Sequence, residues 1–212
     1  MDAGLPTVLG RRAPIPDRMA ASDSPRPDWI DPEQYPFDSN HADLDAGRLH
    51  YVDEGEGRPV LMLHGNPTWS FLYRHLLRGL SEDYRCIAPD YLGFGLSEKP
   101  RDFSYRPAAH ADVVEEFIEE LGLAELTLVV HDWGGPIGCR YAVENPGNVH
   151  SLVVMNTFCW PVERDLYLKA FGGLLGSRLG KLLITRRNFF ARSCEGDCWP
   201  GELALRKRSG QG

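Results

Sequence analysis

Residues 126–138 read Leu126-Thr127-Leu128-Val129-Val130-His131-Asp132-Trp133-Gly134-Gly135-Pro136-Ile137-Gly138. An apolar, β-branched run stops at an acidic residue, and two glycines lead into an amphipathic segment, which predicts a buried strand, a sharp turn and a helix. Asp132 falls on the turn. There a carboxylate meets the free N–H groups and the positive dipole end of the following helix, which favour its charged form and aim it outward from a sheet. Asp is also a common helix N-cap, so this stretch alone leaves two readings, a cap or an exposed nucleophile.

The small-x-Asp-x-Gly-Gly spacing around Asp132 resembles the nucleophile elbow of α/β-hydrolases, with Asp where serine hydrolases carry Ser. No Gly-x-Ser-x-Gly occurs elsewhere in the chain. Gly95-Leu96-Ser97 comes closest, but Glu98 and Lys99 follow it, so a serine hydrolase is disfavoured.

The chain has 212 residues, enough for one domain with a real core. Its net charge of −7 argues against nucleic-acid or anionic-membrane partners, which need a basic face. No apolar run approaches the ~20 residues of a membrane span, and no hydrophobic signal core follows the N-terminus, so a cytoplasmic protein is expected. The five cysteines, Cys86, Cys139, Cys159, Cys194 and Cys198, form no Cys-x-x-Cys and lie among no ligand-spaced histidines. Neither a disulfide framework nor a metal site is expected. Cys86 and Cys139 fall in a predicted strand and helix and read as small apolar residues.

Residues 1–27 are rich in proline and small polar residues and predict a disordered extension. Residues 41–47 and 48–53 alternate around a Gly-containing turn, the pattern of a hairpin. Residues 59–64 and 85–90 are short, nearly continuous apolar runs, as in parallel strands covered on both faces. Between them, 70–80 has helical spacing. The glycines of 90–97 read as turn geometry rather than a phosphate cradle. Residues 107–121 predict a helix closed by Gly122, with His110 on its surface. The elbow strand, a helix over 135–144 and a buried strand over 151–156 complete an alternating pattern that specifies a mostly parallel α/β sheet with flanking helices. Ligands bind such sheets at the strands' C-terminal ends. Gly65-Asn66, Asp132-Trp133 and 157–161 would line one crevice there. A dinucleotide fold is disfavoured, since Gly134-Gly135-x-x-Gly138 lacks the fingerprint's first spacing. No cofactor is expected.

His64-Gly65-Asn66-Pro67-Thr68-Trp69, Tyr91-Leu92-Gly93-Phe94-Gly95-Leu96-Ser97 and His131-Asp132-Trp133-Gly134-Gly135 together resemble the haloalkane dehalogenases of the α/β-hydrolase superfamily, over residues 27–190. The resemblance implies an α/β-hydrolase fold, with a core at 28–157 and the start of a helical cap at 158–192. It implies that Asp132 attacks a small apolar halogenated substrate to give an alkyl ester, and that water then releases alcohol and halide. It implies that the side chains of Asn66 and Trp133 hold the halide, that their backbone N–H groups form the oxyanion hole, and that Phe158, Trp160 and Pro161 wall the substrate pocket. An ionised nucleophile and N–H donors placed where the leaving anion's charge develops suit that chemistry.

The family also uses a histidine after the last strand to activate water, with an acid to orient it. The only histidine after Asp132 is His150, at the opposite end of its strand from the crevice, and Asn156 stands where one subgroup carries its acid. Residues 193–212 show no strand pattern and read as an unstructured tail. The chain is therefore expected to be C-terminally truncated, with an incomplete fold on that side, an exposed apolar edge at 151–156 and no turnover. Two alternatives remain: an epoxide hydrolase, which shares the Asp elbow, and a noncatalytic α/β binding module.

Overall fold

The computed structural model describes residues 27–159, 166–178 and the single positions 180, 182 and 186. The expected extension at 1–27, all but Pro27, and the tail at 193–212 lie outside the described residues. The elements run β1 (Asn40–Leu44), β2 (Gly47–Glu54), β3 (Pro59–Leu63), α1 (Arg74–Leu80), β4 (Arg85–Pro89), α2 (Pro107–Glu120), β5 (Leu126–Asp132), α3 (Gly134–Glu144), β6 (Val149–Thr157) and α4 (Leu166–Gly176). A short 3-10 turn, Ser70–Tyr73, precedes α1, so the helix expected over 70–80 divides in two. Its first turn is pinned at both ends, where Asp90 takes the Ser70 N–H and the Tyr73 hydroxyl donates to the Leu63 carbonyl.

Strand order is β1-β2-β4-β3-β5-β6. The β1–β2 hairpin is antiparallel, closing at Leu44 and Gly47, and β2 joins β4 antiparallel. The neighbours β4, β3, β5 and β6 are all parallel. The strands expected from the sequence are therefore present, in a mostly parallel sheet.

Period-two alternation sends successive strand side chains to opposite faces. Leu61, Leu63, Ile87, Leu128 and Val130 point into one core, which α2 and α3 cover with Val114, Phe117, Ile118, Ile137 and Tyr141. Val60, Met62, Cys86, Ala88 and Val129 point into the other, covered by Tyr73, Leu77 and the incoming segment with Ile30, Tyr35 and Phe37. Near-continuous apolar sequence thus follows from burial on both faces. In α2, Pro107 sits at the start where its missing N–H is harmless. The helix ends as Gly122 turns left-handed, with the Gly122 and Leu123 N–H groups donating to the carbonyls of Glu119 and Ile118.

β6 departs from this plan. It pairs with β5 on one side, yet Leu152, Val153, Val154 and Met155 are all exposed. The expected open apolar edge is present among the described residues. Among them, no helix is long and apolar enough to cross a membrane.

An edge strand with unpaired backbone groups and bare aliphatic side chains templates self-association. Val154→Lys, at a position 56% exposed, is expected to reduce aggregation measured by light scattering while leaving the melting midpoint within about 2 °C, because no core contact is removed. Undiminished aggregation would place the sticky surface elsewhere.

Candidate active site

β5 ends on Asp132, whose φ of +49° puts a non-glycine residue in the left-handed region. Such a backbone costs about 1–2 kcal/mol for an L-residue and persists only where its surroundings over-determine it. Three contacts do so. The Asn66 N–H donates to Asp132 Oδ1 at 2.8 Å, and the Thr157 hydroxyl donates to the Asp132 carbonyl. The third is close packing: a methyl group at Gly65 would strike the Asp132 side chain, and one at Gly134 would strike the Leu63 carbonyl. Glycine at these positions lets the ends of β3 and β5 approach.

The capping reading of Asp132 fails. The N-cap of α3 is Trp133, and no side chain caps the helix. The Asp132 carboxylate is left for other partners, and its described hydrogen bond comes from the loop after β3.

That loop is built on a buried histidine. The His64 Nδ1–H donates to the Gly65 carbonyl at 2.8 Å, and its Nε2 accepts the Tyr91 N–H at 3.1 Å. Burial lowers its pKa, and the ring serves as a neutral spacer between two loops. The Gly65 carbonyl also accepts the Thr68 N–H and hydroxyl, which curls residues 65–68 so that the Asn66 N–H faces β5.

Asn66 and Trp133 line one cavity of about 510 Å³, with Tyr91, Phe94, Tyr105 and His110 among its other walls. The Trp133 ring meets the Phe158 ring edge-on, centroids 5.2 Å apart at 76°. Asp132, Asn66, Trp133 and Phe158 are thus brought together. Trp160 and Pro161 lie outside the described residues.

Sequence reasoning took Asp90 only as a strand end, but it is the tie beneath the site. Fully buried, its carboxylate accepts the His50 Nδ1–H at 2.9 Å, the Ser70 N–H at 2.7 Å and the Leu96 N–H at 2.9 Å. Burial alone would push its pKa up; the His50 hydrogen bond, the fields of His50 and His64 and the Leu96 N–H together take it below 3.8. Ser97 accepts the His50 N–H and donates to the Asp90 carbonyl, so its hydroxyl is structural. An acid following an apolar strand and preceding a Gly-rich loop is the one signal the sequence offered.

His110 corrects an expectation. Read as a surface residue, it is buried at 5% exposure among the rings of Tyr91, Phe94, Phe103 and Tyr105. It shares the stripe of Val114, Phe117 and the C-cap residue Leu121, a spacing of four, three and four that periodicity could have revealed. Burial, then the field of His64, lowers its pKa from 6.5 to about 4. Cys139, read as a small apolar residue, is a half-buried free thiol whose Sγ lies 2.7 Å from that of Cys159, a proximity the sequence did not announce.

Among the described residues no histidine is hydrogen-bonded to Asp132. His64, the buried histidine of the adjoining loop, has both ring nitrogens engaged. His150 lies at the start of β6, seven residues before Thr157 and so about 23 Å along the strand from the elbow.

Residues 58–196 match the model of the alpha/beta hydrolase fold. The chain is 50% identical over 160 residues to haloalkane dehalogenase 2 of Mycobacterium bovis, spanning 76% of this chain and 56% of that protein. It is 41% identical over 161 residues to the cis-3-alkyl-4-alkyloxetan-2-one decarboxylase of Shewanella oneidensis, spanning 74% and 50%. Among solved structures, a haloalkane dehalogenase from Agrobacterium tumefaciens C58 superposes with TM-score 0.65 at 28% identity, over 74% of this chain and 55% of that one. An epoxide hydrolase from Bacillus megaterium superposes with TM-score 0.64 at 29% identity, over 72% and 57%. The chain thus spans about half the length of the curated relatives it matches.

Two outcomes follow for this site. Asp90→Ala strands three buried donors and is expected to destabilise the fold by about 3 kcal/mol or more in urea denaturation; a smaller loss would make the network incidental. For pH, His110 is neutral in the folded chain down to about 4, whereas the unfolded chain takes up the proton near 6.5. Its contribution is full above 6.5 and is lost as pH falls toward 4. His110→Phe is expected to flatten that part of the stability curve, leaving the shares of His41 and His64, whose pKa values are also lowered. An unchanged slope between pH 6.5 and 4 would refute the assignment.

Proposed function

Because the chain belongs to the alpha/beta hydrolase fold family, we propose that its elbow performs the chemistry of a haloalkane dehalogenase up to the ester intermediate. The observation that carries this reading is the Asn66 N–H seated on Asp132 Oδ1 while Asn66 and Trp133 line one cavity. The 50% sequence identity to the Mycobacterium bovis dehalogenase over 160 residues supports it.

In this reading an Asp132 carboxylate oxygen attacks the carbon bearing the halogen. The C–O bond forms as the carbon–halogen bond breaks, and the bonding pair leaves with the halide. The Asn66 amide and the Trp133 indole N–H stabilise that anion where its charge develops. The Asn66 backbone N–H and that of Trp133 then stabilise the oxyanion formed when the ester is attacked. The substrate is small, apolar and halogenated; Phe158, Trp160 and Pro161 wall its pocket by resemblance, and the edge-on contact of Phe158 with Trp133 supports its share of that role. Residues 28–157 supply the core and 158–192 the beginning of a cap.

Hydrolysis of the ester needs a base beside Asp132. With His64 engaged and His150 far off, the ester accumulates, and the chain as given is inactive for turnover. Epoxide opening is the second reading, supported by the Bacillus megaterium neighbour.

Incubation of the 212-residue chain with 1-bromobutane is expected to release at most one bromide per chain and to leave a butyl group on the peptide containing Asp132, read by mass spectrometry. Asp132→Asn should abolish both, and Trp133→Phe should slow bromide release by about 10²-fold. Absence of bromide together with a hydroxyalkyl adduct from styrene oxide would transfer the assignment to epoxide chemistry. Continuous bromide release would overturn the incomplete catalytic set.

A further inference from the structure

Cys139 and Cys159 take no part in the chemistry above, yet their sulfurs are 2.7 Å apart, with Cys139 half-buried on α3 and Cys159 exposed just beyond β6. The approach is set by the fold. Gly135 and Cys139 are one helical turn apart on the same face, and a methyl group at Gly135 would strike the Thr157 side chain. This face of α3 therefore lies along residues 157–159. The two residues before Cys159 touch the elbow, Thr157 through the Asp132 carbonyl and Phe158 through the Trp133 ring.

The geometry points to a reversible Cys139–Cys159 disulfide that clips residues 157–159 to α3 and holds Phe158 against Trp133, making halide binding redox-dependent. The clip stands on the thiol geometry; its effect on halide rests on the function proposed above. The co-reactant is a small-molecule disulfide such as oxidised glutathione. The exposed Cys159 sulfur attacks it, releasing one thiol and giving a mixed disulfide. The Cys139 sulfur then attacks the Cys159 sulfur and expels the second thiol. The two protein thiols lose two electrons and two protons, and one disulfide is reduced to two thiols. Burial, then its contacts with Cys159, pushes the Cys139 thiol up to about 12, which disfavours its thiolate; the exposed Cys159 therefore reacts first, and proximity to the mixed disulfide offsets the scarcity of Cys139 thiolate in the second, intramolecular step.

The test treats the full chain with oxidised glutathione or with dithiothreitol, then alkylates, digests without reduction and maps the peptides. A peptide joining Cys139 to Cys159, abolished by dithiothreitol, is expected. Separate alkylation of both after oxidation, or linkage of Cys159 to Cys86, Cys194 or Cys198, would overturn the clip. In parallel, bromide quenching of tryptophan fluorescence is expected to show roughly threefold tighter binding in the oxidised chain through preorganisation of the site. Cys159→Ser and Cys139→Ala should bind bromide as the reduced chain does, with or without oxidant. A mapped crosslink with unchanged bromide affinity would overturn the redox dependence. No bromide quenching in the reduced wild type would instead count against the halide reading, and the peptide map alone would then decide the clip.

Discussion

A left-handed residue at the end of a parallel strand is held there only by what surrounds it. At Asp132 the surroundings are an N–H from the loop after β3, a hydroxyl from the end of β6 and glycine-permitted close packing against β3. Remove any of these and the turn relaxes toward an ordinary conformation that no longer lifts the carboxylate above the sheet. The position of the Asp132 carboxylate is therefore a property of three strands rather than of its own turn. This is why a parallel sheet, whose strands end together on one side, is the natural support for it.

Below the elbow, charge is managed by burial. Asp90 stays ionised inside the protein because three donors converge on it, and in return it fixes the start of the turn at Ser70 and the Gly-rich loop at Leu96. His64 is the complementary device, a buried ring kept neutral so that it donates on one side and accepts on the other. One buried acid and one buried base thus set the relative heights of two loops. Asn66 and Tyr91, which line the cavity, ride on those loops.

Much of this was legible in the sequence. The apolar runs at 59–63, 85–89 and 126–130 announced strands because a sheet covered on both faces leaves no polar alternation. The elbow was legible because its glycines answer to a close backbone approach. What escaped were relations between elements distant in sequence. Nothing local says that the Asp90 carboxylate reaches Ser70 and His50, or that Cys139 meets Cys159 across twenty residues. His110 was a different kind of miss, since its helical spacing was visible and its polarity outweighed it. Asp132, Asn66, Trp133 and Phe158 stand out in the sequence only through a resemblance, and the fold supplies the proximity that spacing alone never stated.

The ladder between β5 and β6 skips a step. His131 pairs with Met155 and Asp132 with Thr157, so Asn156, at φ +40°, is looped out as a surplus residue. The odd-even phase of β6 is thereby reset just before its last residue, and it is this rephasing that delivers the Thr157 hydroxyl to the elbow. The latch on Asp132 is consequently a matter of counting rather than of chemistry at position 156. A side chain that accepts the left-handed backbone can be exchanged there without the elbow noticing, while deletion of that single residue would swing Thr157 to the wrong side.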